Sequence, residues 1–227
     1  MKLKLVKIKD EATNTKSFFF TPSKNFTWQT GQYAYITLGE TTKQFTIASS
    51  PTEEFVQITT RIRKESEFKQ LLDKVQIGEE IEARAPFGSF VLSNYHSLFP
   101  IRYTLFLAGG IGITPFRSMI KYNMDNNLKI PMYLIYSNSD NEFVFKKELD
   151  QWQKENTYIK VEYVDTSAVG RIDKLKIESL IKNFKLKIEN CMFWSVGPNM
   201  FVNAMEDSLE QLNIKSDMIH TEKFIGY

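Results

Sequence analysis

Residues 105–120, Leu-Phe-Leu-Ala-Gly-Gly-Ile-Gly-Ile-Thr-Pro-Phe-Arg-Ser-Met-Ile, constrain the fold more than any other stretch of the chain. The run from Tyr103 to Leu107 is apolar enough for a strand buried on both faces. Ala108-Gly109-Gly110-Ile111-Gly112 follow, where missing side chains let a ligand approach the backbone. Thr114 then offers a helix N-cap oxygen and Pro115 suits the first helical position. A strand, a glycine turn and a helix start form an anion site, because free N–H groups and the helix dipole point at the turn. A glycine turn also serves as a mere tight connection, and here Pro115 stands in place of a third glycine. The rest of the chain has to decide between the two.

The 227 residues suffice for two domains with large cores. Up to residue 98 the pattern is mostly β. Segments 2–9, 16–21, 33–38, 44–48, 55–62 and 79–85 are rich in β-branched and aromatic residues, with turn formers such as Asn14, Gly31, Gly39 and Gly78 between them. Six short strands and one helix over 66–74 suggest a closed antiparallel barrel. Leu98-Phe99-Pro100 marks a boundary. Beyond it, strands at 103–107, 132–136, 160–164 and 192–196 alternate with helices at 115–123, 145–155, 173–183 and 199–212, and a last strand covers 218–224. Alternating β and α implies a parallel sheet covered on both faces, with ligands beyond the carboxyl ends of its strands.

Composition excludes several classes. Cys191 is the only cysteine, so neither an internal disulfide nor a cysteine-held iron–sulfur cluster can form within the chain. His96 and His220 lack metal-ligand spacing, and no metal site is expected. A net charge of +2 gives no reason to expect nucleic acid. No apolar run approaches the roughly 20 residues that span a bilayer. The start, Met1-Lys2-Leu3-Lys4-Leu5-Val6-Lys7, alternates like a strand rather than a signal peptide, and the expected location is cytoplasmic.

Four motifs carry chemistry. Lys43-Gln44-Phe45-Thr46 resembles the Arg-x-Tyr-Ser/Thr flavin motif of the ferredoxin–NADP reductase family. Residues 108–115 resemble its Gly-Gly-x-Gly-x-Thr-Pro nucleotide loop, Ser195-Val196-Gly197-Pro198-Asn199-Met200 its Cys-Gly-Pro-x-x-Met segment, and Glu222-Lys223-Phe224 its terminal Glu-x-aromatic. They occur in the family's order from Lys43 to the tail. The resemblance implies a β plus α/β fold: an antiparallel barrel binding FAD over residues 1–98, then a Rossmann-like parallel-sheet domain binding NAD(P) over 101–227, its tail at the flavin.

It also implies roles. Lys43 would contact the FAD pyrophosphate, Phe45 would pack on the flavin, and Thr46 would sit near flavin N5, with Gln44 between them. A lysine meets phosphate as a point charge rather than a fork, and Phe45 lacks a phenol. Arg63-Lys64-Glu65-Ser66 aligns with the family's Gly-x-x-Ser, so Ser66 would cap a helix under the pyrophosphate. Thr60, Arg61 and Arg63 on the preceding strand would help hold FAD. Gly110, Gly112, Thr114 and Pro115 would present the NAD(P) pyrophosphate, with Gly197, Pro198 and Met200 beside the nicotinamide and Ser137 and Asn138 at the next strand end. Val196 stands where many relatives have cysteine, and Cys191 reads as inert core. Asp140 and Glu142 would repel a 2′-phosphate while Lys146 and Lys147 would offset that, leaving a slight preference for NADH over NADPH. Glu222 would be an acid beside the flavin and Phe224 the aromatic covering it, with Tyr227 the alternative stacker.

The implied activity passes hydride from NADH or NADPH to FAD and then electrons to a separate acceptor: a ferredoxin, a flavodoxin, an oxygenase component or a small molecule. The alternatives are a diffusible flavin or ferric reductase, and an electron-transfer subunit of a larger complex.

Overall fold

The computed structural model describes residues 1–22, 24–92 and 102–224. The expected boundary between 98 and 101, His96 and Tyr227 lie outside those residues. Two compact units result. One joins Met1–Leu92 to Thr114–Asp125, and the other joins Ser93–Ile113 to Asn126–Tyr227.

The first unit contains β1 (Lys2–Ala12), β2 (Thr15–Thr21), β3 (Tyr33–Leu38), β4 (Thr41–Thr46), β5 (Val56–Arg61), helix α1 (Glu67–Lys74) and β6 (Glu80–Phe87). β1 runs past the expected residue 9 because Asn14, at φ 52°, turns the chain tightly into β2. Leu3 and Leu5 point inward while Lys2 and Lys4 face water, the alternation a half-buried strand requires. The antiparallel sheet is ordered β4-β3-β6-β1-β2-β5. A bridge between Ile47 and Ile58 and a bond from Ala48 N to Gln57 O (2.8 Å) join its two ends. Phe18, Phe20, Ile36, Ile47 and Ile58 fill the interior, and α1 adds Phe68 and Leu72. The barrel expected from strand spacing is therefore present.

Helix α2 (Ile113–Asp125) follows the glycine turn, yet its residues from Thr114 pack with the barrel. Arg117 donates to Glu53 through both terminal nitrogens (2.8 and 3.0 Å) and to Ala48 O (3.0 Å). Ser118 donates to Ser49 O (2.7 Å), and Thr52 bonds Asp125 (2.5 Å). Phe116 packs on Phe90 (6.2 Å between rings). Gly31, at φ +93°, is forced: a Cβ there would run into Phe90 O and the methyl of Met119.

The second unit is a parallel sheet ordered β11-β10-β7-β8-β9. Its strands are β7 (Tyr103–Gly109), β8 (Met132–Asn138), β9 (Ile159–Asp165), β10 (Cys191–Pro198) and β11 (Ile219–Phe224). Its helices are α3 (Lys146–Glu155), α4 (Thr166–Val169), α5 (Lys174–Asn183) and α6 (Asn199–Gln211). Each expected strand and helix here appears within two residues of its bounds, β7 running on through the first glycine of the turn. The single-turn α4 was unexpected, since four residues carry no periodicity. The sheet starts at its centre with β7, adds β8 and β9 on one side, then returns to add β10 and β11 on the other. The strand order thus reverses beside β7, the position where open α/β sheets bind ligands. Leu105, Leu107 and Phe193 pack with Ile177, Leu180, Met205 and Leu209 of α5 and α6 on one face of this sheet.

Candidate functional site

In the barrel unit, β5 ends in Thr60 and Arg61, and a short turn through Arg63 leads to α1. Ser66 caps that helix as expected, its hydroxyl accepting from Lys69 N (3.4 Å). The turn is closed by Ser66 N on Arg63 O (3.2 Å) and by the Gln70 amide on the same carbonyl (3.1 Å). Three cations gather there. Burial first, then the charges of Arg63 and Arg61, lower the pKa of Lys69 to about 8. Thr60, the residue before Arg61 on β5, has its hydroxyl buried with no hydrogen-bond partner. Cations that repel one another at a helix start suit a dianionic group, and in this respect the residues fit the pyrophosphate of FAD.

The flavin-motif residues divide between two environments. Lys43 and Gln44 are exposed on β4, while Phe45 and Thr46 are buried. Phe45 belongs to the barrel core and stacks on Phe68 of α1 (5.6 Å, 30°), which ties β4 to the helix that carries Lys69. The structure thus brings together Arg61, Arg63, Ser66 and, through Phe68, Phe45. Lys69 was missed because a lysine on an amphipathic helix reads as a solvated residue; its place three residues after the Ser66 cap was the available signal.

In the sheet unit, the candidate site lies at the carboxyl ends of β7 and β10. Gly110 sits at φ +55°, and a Cβ there would meet only Asn138 Oδ1, at 3.7 Å, so the turn's backbone is open on that side as a bound phosphate requires. Gly112 has a different reason: a Cβ would collide with Val196 O of β10. It is packing, rather than ligand approach, that excludes a side chain there. The turn Gly110–Gly112 is a 3-10 helix, and Ile113 N–H bonds Gly110 O, so α2 begins at Ile113. Thr114 therefore lies inside the first helical turn, buried, and is not the N-cap expected of it; Pro115 shares that turn, where a missing N–H is tolerated.

At β10, Gly109 and Gly197 face each other, and the ring of Phe201 covers both; a Cβ on either would stand within 3 Å of it. Met200, expected beside the nicotinamide, is 73% exposed at the start of α6. The packing position belongs to Phe201, which follows Gly197-Pro198 by the full spacing of the motif, and this spacing was the signal overlooked. Val196 and Cys191 are fully buried, and burial pushes the Cys191 thiol up to about 12, so it is inert.

Ser137 and Asn138 are buried at the end of β8. The Asn138 amide donates to Asp140 (2.8 Å) and to Glu142 O (2.9 Å), and Asp140 also accepts from Glu142 N (2.9 Å). Thr166 bonds Asn138 O (3.1 Å). The loop after β8 is thus held with a carboxylate at its tip.

On β11, Glu222 pairs in register with Val196, and its Oε2 is buried without a partner. Burial pushes this carboxyl up to about 7. His220 lies on the same face against Trp194 (4.4 Å between rings), and burial lowers its pKa. Phe224, at the end of the strand, is half-buried.

Known proteins share both units. Residues 2–92 match the model of the oxidoreductase FAD-binding domain, and residues 106–207 that of the oxidoreductase NAD-binding domain. The chain is thus a two-domain flavin and nicotinamide-nucleotide oxidoreductase. Flavohemoprotein A of Dictyostelium discoideum is 26% identical over 238 residues, 95% of this chain and 58% of that protein. The glycine betaine monooxygenase reductase subunit of Chromohalobacter salexigens is 24% identical over 241 residues, 98% of this chain and 63% of that protein. The chain therefore spans less than two thirds of these relatives. In fold it is similar to a ferredoxin–NADP reductase from Neisseria gonorrhoeae with bound FAD and NADP, with a TM-score of 0.84, 18% identity and 98% of both chains covered. Its two units belong to the oxidoreductase FAD-binding and NAD-binding domain families, in a fold shared with ferredoxin–NADP reductases.

Proposed function

We propose that this chain takes reducing equivalents from NADH onto FAD and hands electrons to a separate acceptor protein. Bound FAD would supply the redox chemistry, accepting hydride at N5 and releasing electrons. Arg61, Arg63, Lys69 and the Ser66 end of α1 would hold its pyrophosphate, and the Thr60 hydroxyl would gain the partner it lacks. Phe45, fixed by Phe68, would wall the flavin pocket, and Thr46 would orient the ring edge. Gly110, Gly112 and the turn at Gly197-Pro198 would position the dinucleotide. Glu222 would keep a proton at Oε2 near neutral pH, and Phe224 would exclude water. The observation that carries this reading is the gathering of Arg61, Arg63 and Lys69 at the start of α1.

NADH is the favoured donor because Asn138 holds Asp140 at the end of β8, where a carboxylate suits a ribose hydroxyl and repels a 2′-phosphate. An oxygenase component is the favoured acceptor, supported by the relative that is a monooxygenase reductase subunit; a ferredoxin, a flavodoxin or a small ferric or flavin acceptor competes. Among the described residues no helix is long and apolar enough to cross a membrane. The single cysteine, buried, suits the cytoplasm in which we place the chain.

Anaerobic stopped-flow mixing of the FAD-loaded chain with NADH and with NADPH tests the reading. Flavin bleaching by NADH at least about tenfold faster than by NADPH is expected, since repulsion of about 1.4 kcal/mol gives that factor. No bleaching by either nucleotide would refute the function, and a preference for NADPH would refute the role of Asp140.

A further inference from the structure

β11 lies at the edge of the parallel sheet, paired with β10 from Phe193↔Ile219 to Pro198↔Phe224. An edge strand is held on one side only, and a slip of one residue turns every side chain to the opposite face. β11 has a reason to slip. In its present register it buries Glu222 Oε2 without a partner, and a buried unpaired carboxyl favours any arrangement that returns it to water.

One residue opposes that slip. Glu206 on α6 accepts from Thr221 Oγ1 on one oxygen (2.8 Å) and from Lys223 Nζ on the other (2.8 Å). Burial alone would raise the Glu206 carboxyl, but the bonds from Lys223 and Thr221 outweigh it and hold the carboxyl below its usual range. Because successive strand residues alternate, placing 221 and 223 toward α6 sends 220, 222 and 224 to the other face. A slip by one residue would bring Glu222 against Glu206, carboxylate to carboxylate. Glu206 thus rewards one register and penalises its neighbour.

We infer that Glu206 is a positioning residue that fixes the register of β11 and so keeps Glu222 and Phe224 on the face opposite α6. It touches no substrate and acts through Thr221 and Lys223. The inference rests on the proposed role of Glu222 for its functional meaning but not for its geometry. On its face Glu222 has His220 as the other titratable group of β11. β10 brings Trp194 and Val196 there, both uncharged, and the charges of Glu206 and Lys223 lie on the far side.

Titration of the Glu222 carboxyl tests this without any cofactor. Carbon NMR of chain labelled at glutamate carboxyls reports each residue, and the Glu222 signal is the one lost in Glu222→Gln. A midpoint near 7 is expected in the unaltered chain. In Glu206→Ala it is expected to fall by one pH unit or more toward the ordinary 4.5, because the released strand exposes the group. Glu206→Gln, which keeps an acceptor for Thr221, is expected to fall between. Thr221→Val/Lys223→Met removes both donors without touching α6, so a folding failure of Glu206→Ala still leaves a decisive variant. An unchanged Glu222 midpoint in the variants that fold would overturn the inference. Flavin reduction by Glu222→Gln is a separate arm: a rate equal to the unaltered chain would sink the proposed role of Glu222, while the titration would still decide that of Glu206.

Discussion

Replacing Glu53 with glutamine is expected to destabilise the barrel unit more than removing Arg117, its partner. The Arg117 side chain is 5% exposed and that of Glu53 24% exposed, so the two ends of the pair are not equivalent. Glu53→Gln leaves the buried guanidinium facing Ala48 O and a neutral amide in place of a carboxylate. Breaking a buried pair in this way costs about 3–5 kcal/mol, and the partial exposure of Glu53 sets the expectation at about 3. Arg117→Met removes the charge itself. Glu53 then remains partly hydrated and keeps its bond from Ser50 N (2.7 Å), while Ala48 O loses a donor, a cost of about 1–2 kcal/mol. The double variant should resemble Arg117→Met alone, with a coupling of about 3 kcal/mol rather than additive losses. Urea unfolding followed by circular dichroism measures all three; with a slope of about 2 kcal/mol per molar, Glu53→Gln should lower the midpoint by about 1.5 M. Salt should change little of this, because the pair is shielded from mobile ions. An Arg117→Met variant less stable than Glu53→Gln would refute the reasoning, since it would mean that the guanidinium bears no desolvation cost.

Two further outcomes are expected. The Glu222 carboxyl titrates near 7 in the fold against 4.5 ordinarily, so the fold favours its protonated form: that stability is complete below about 4.5 and is lost as pH rises through 7. Glu222→Gln should therefore be more stable than the unaltered chain at pH 8, by about 1–2 kcal/mol after allowance for partial exposure, and nearly equal to it at pH 4.5; thermal melts at both pH values decide this. Lys69→Met should weaken FAD binding about 5–30-fold in calorimetry, the equivalent of a charge-assisted bond of about 1–2 kcal/mol, with the smaller loss above the pH, about 8, at which Lys69 gives up its proton in the unliganded chain.

The strands were legible because burial leaves a period in sequence: Leu3 and Leu5 against Lys2 and Lys4, or the unbroken apolar run of β7 at the sheet's centre. Helix caps were legible where the capping side chain is local, as at Ser66, and misread at Thr114, where a glycine 3-10 turn runs straight into the helix. Long-range electrostatics left no trace. Nothing in Phe-Arg-Ser-Met announces that Arg117 is buried, because its partner Glu53 is 64 positions away. Lys69 escaped for the same reason, its cationic neighbours arriving from a different strand. The choice of Phe201 over Met200 was written in the motif's spacing, and the folded backbone gives its reason: that side of the helix start faces two glycines.

The allegiance of α2 bears on how the chain is made. The barrel unit is assembled from two pieces, with 21 residues, Ser93–Ile113, of the other unit threaded between them. During synthesis from the N-terminus, six strands and α1 leave the ribosome before the helix that covers Gly31, Phe90 and Glu53. Phe116, Met119 and Ile120, all fully buried at the end, are translated only after β7, the central strand of the second sheet. The first unit thus cannot close before the second has begun, and the nascent barrel waits with an apolar flank bare. The barrel is complete only once Asp125 has been made, so the two units are not built strictly one after the other.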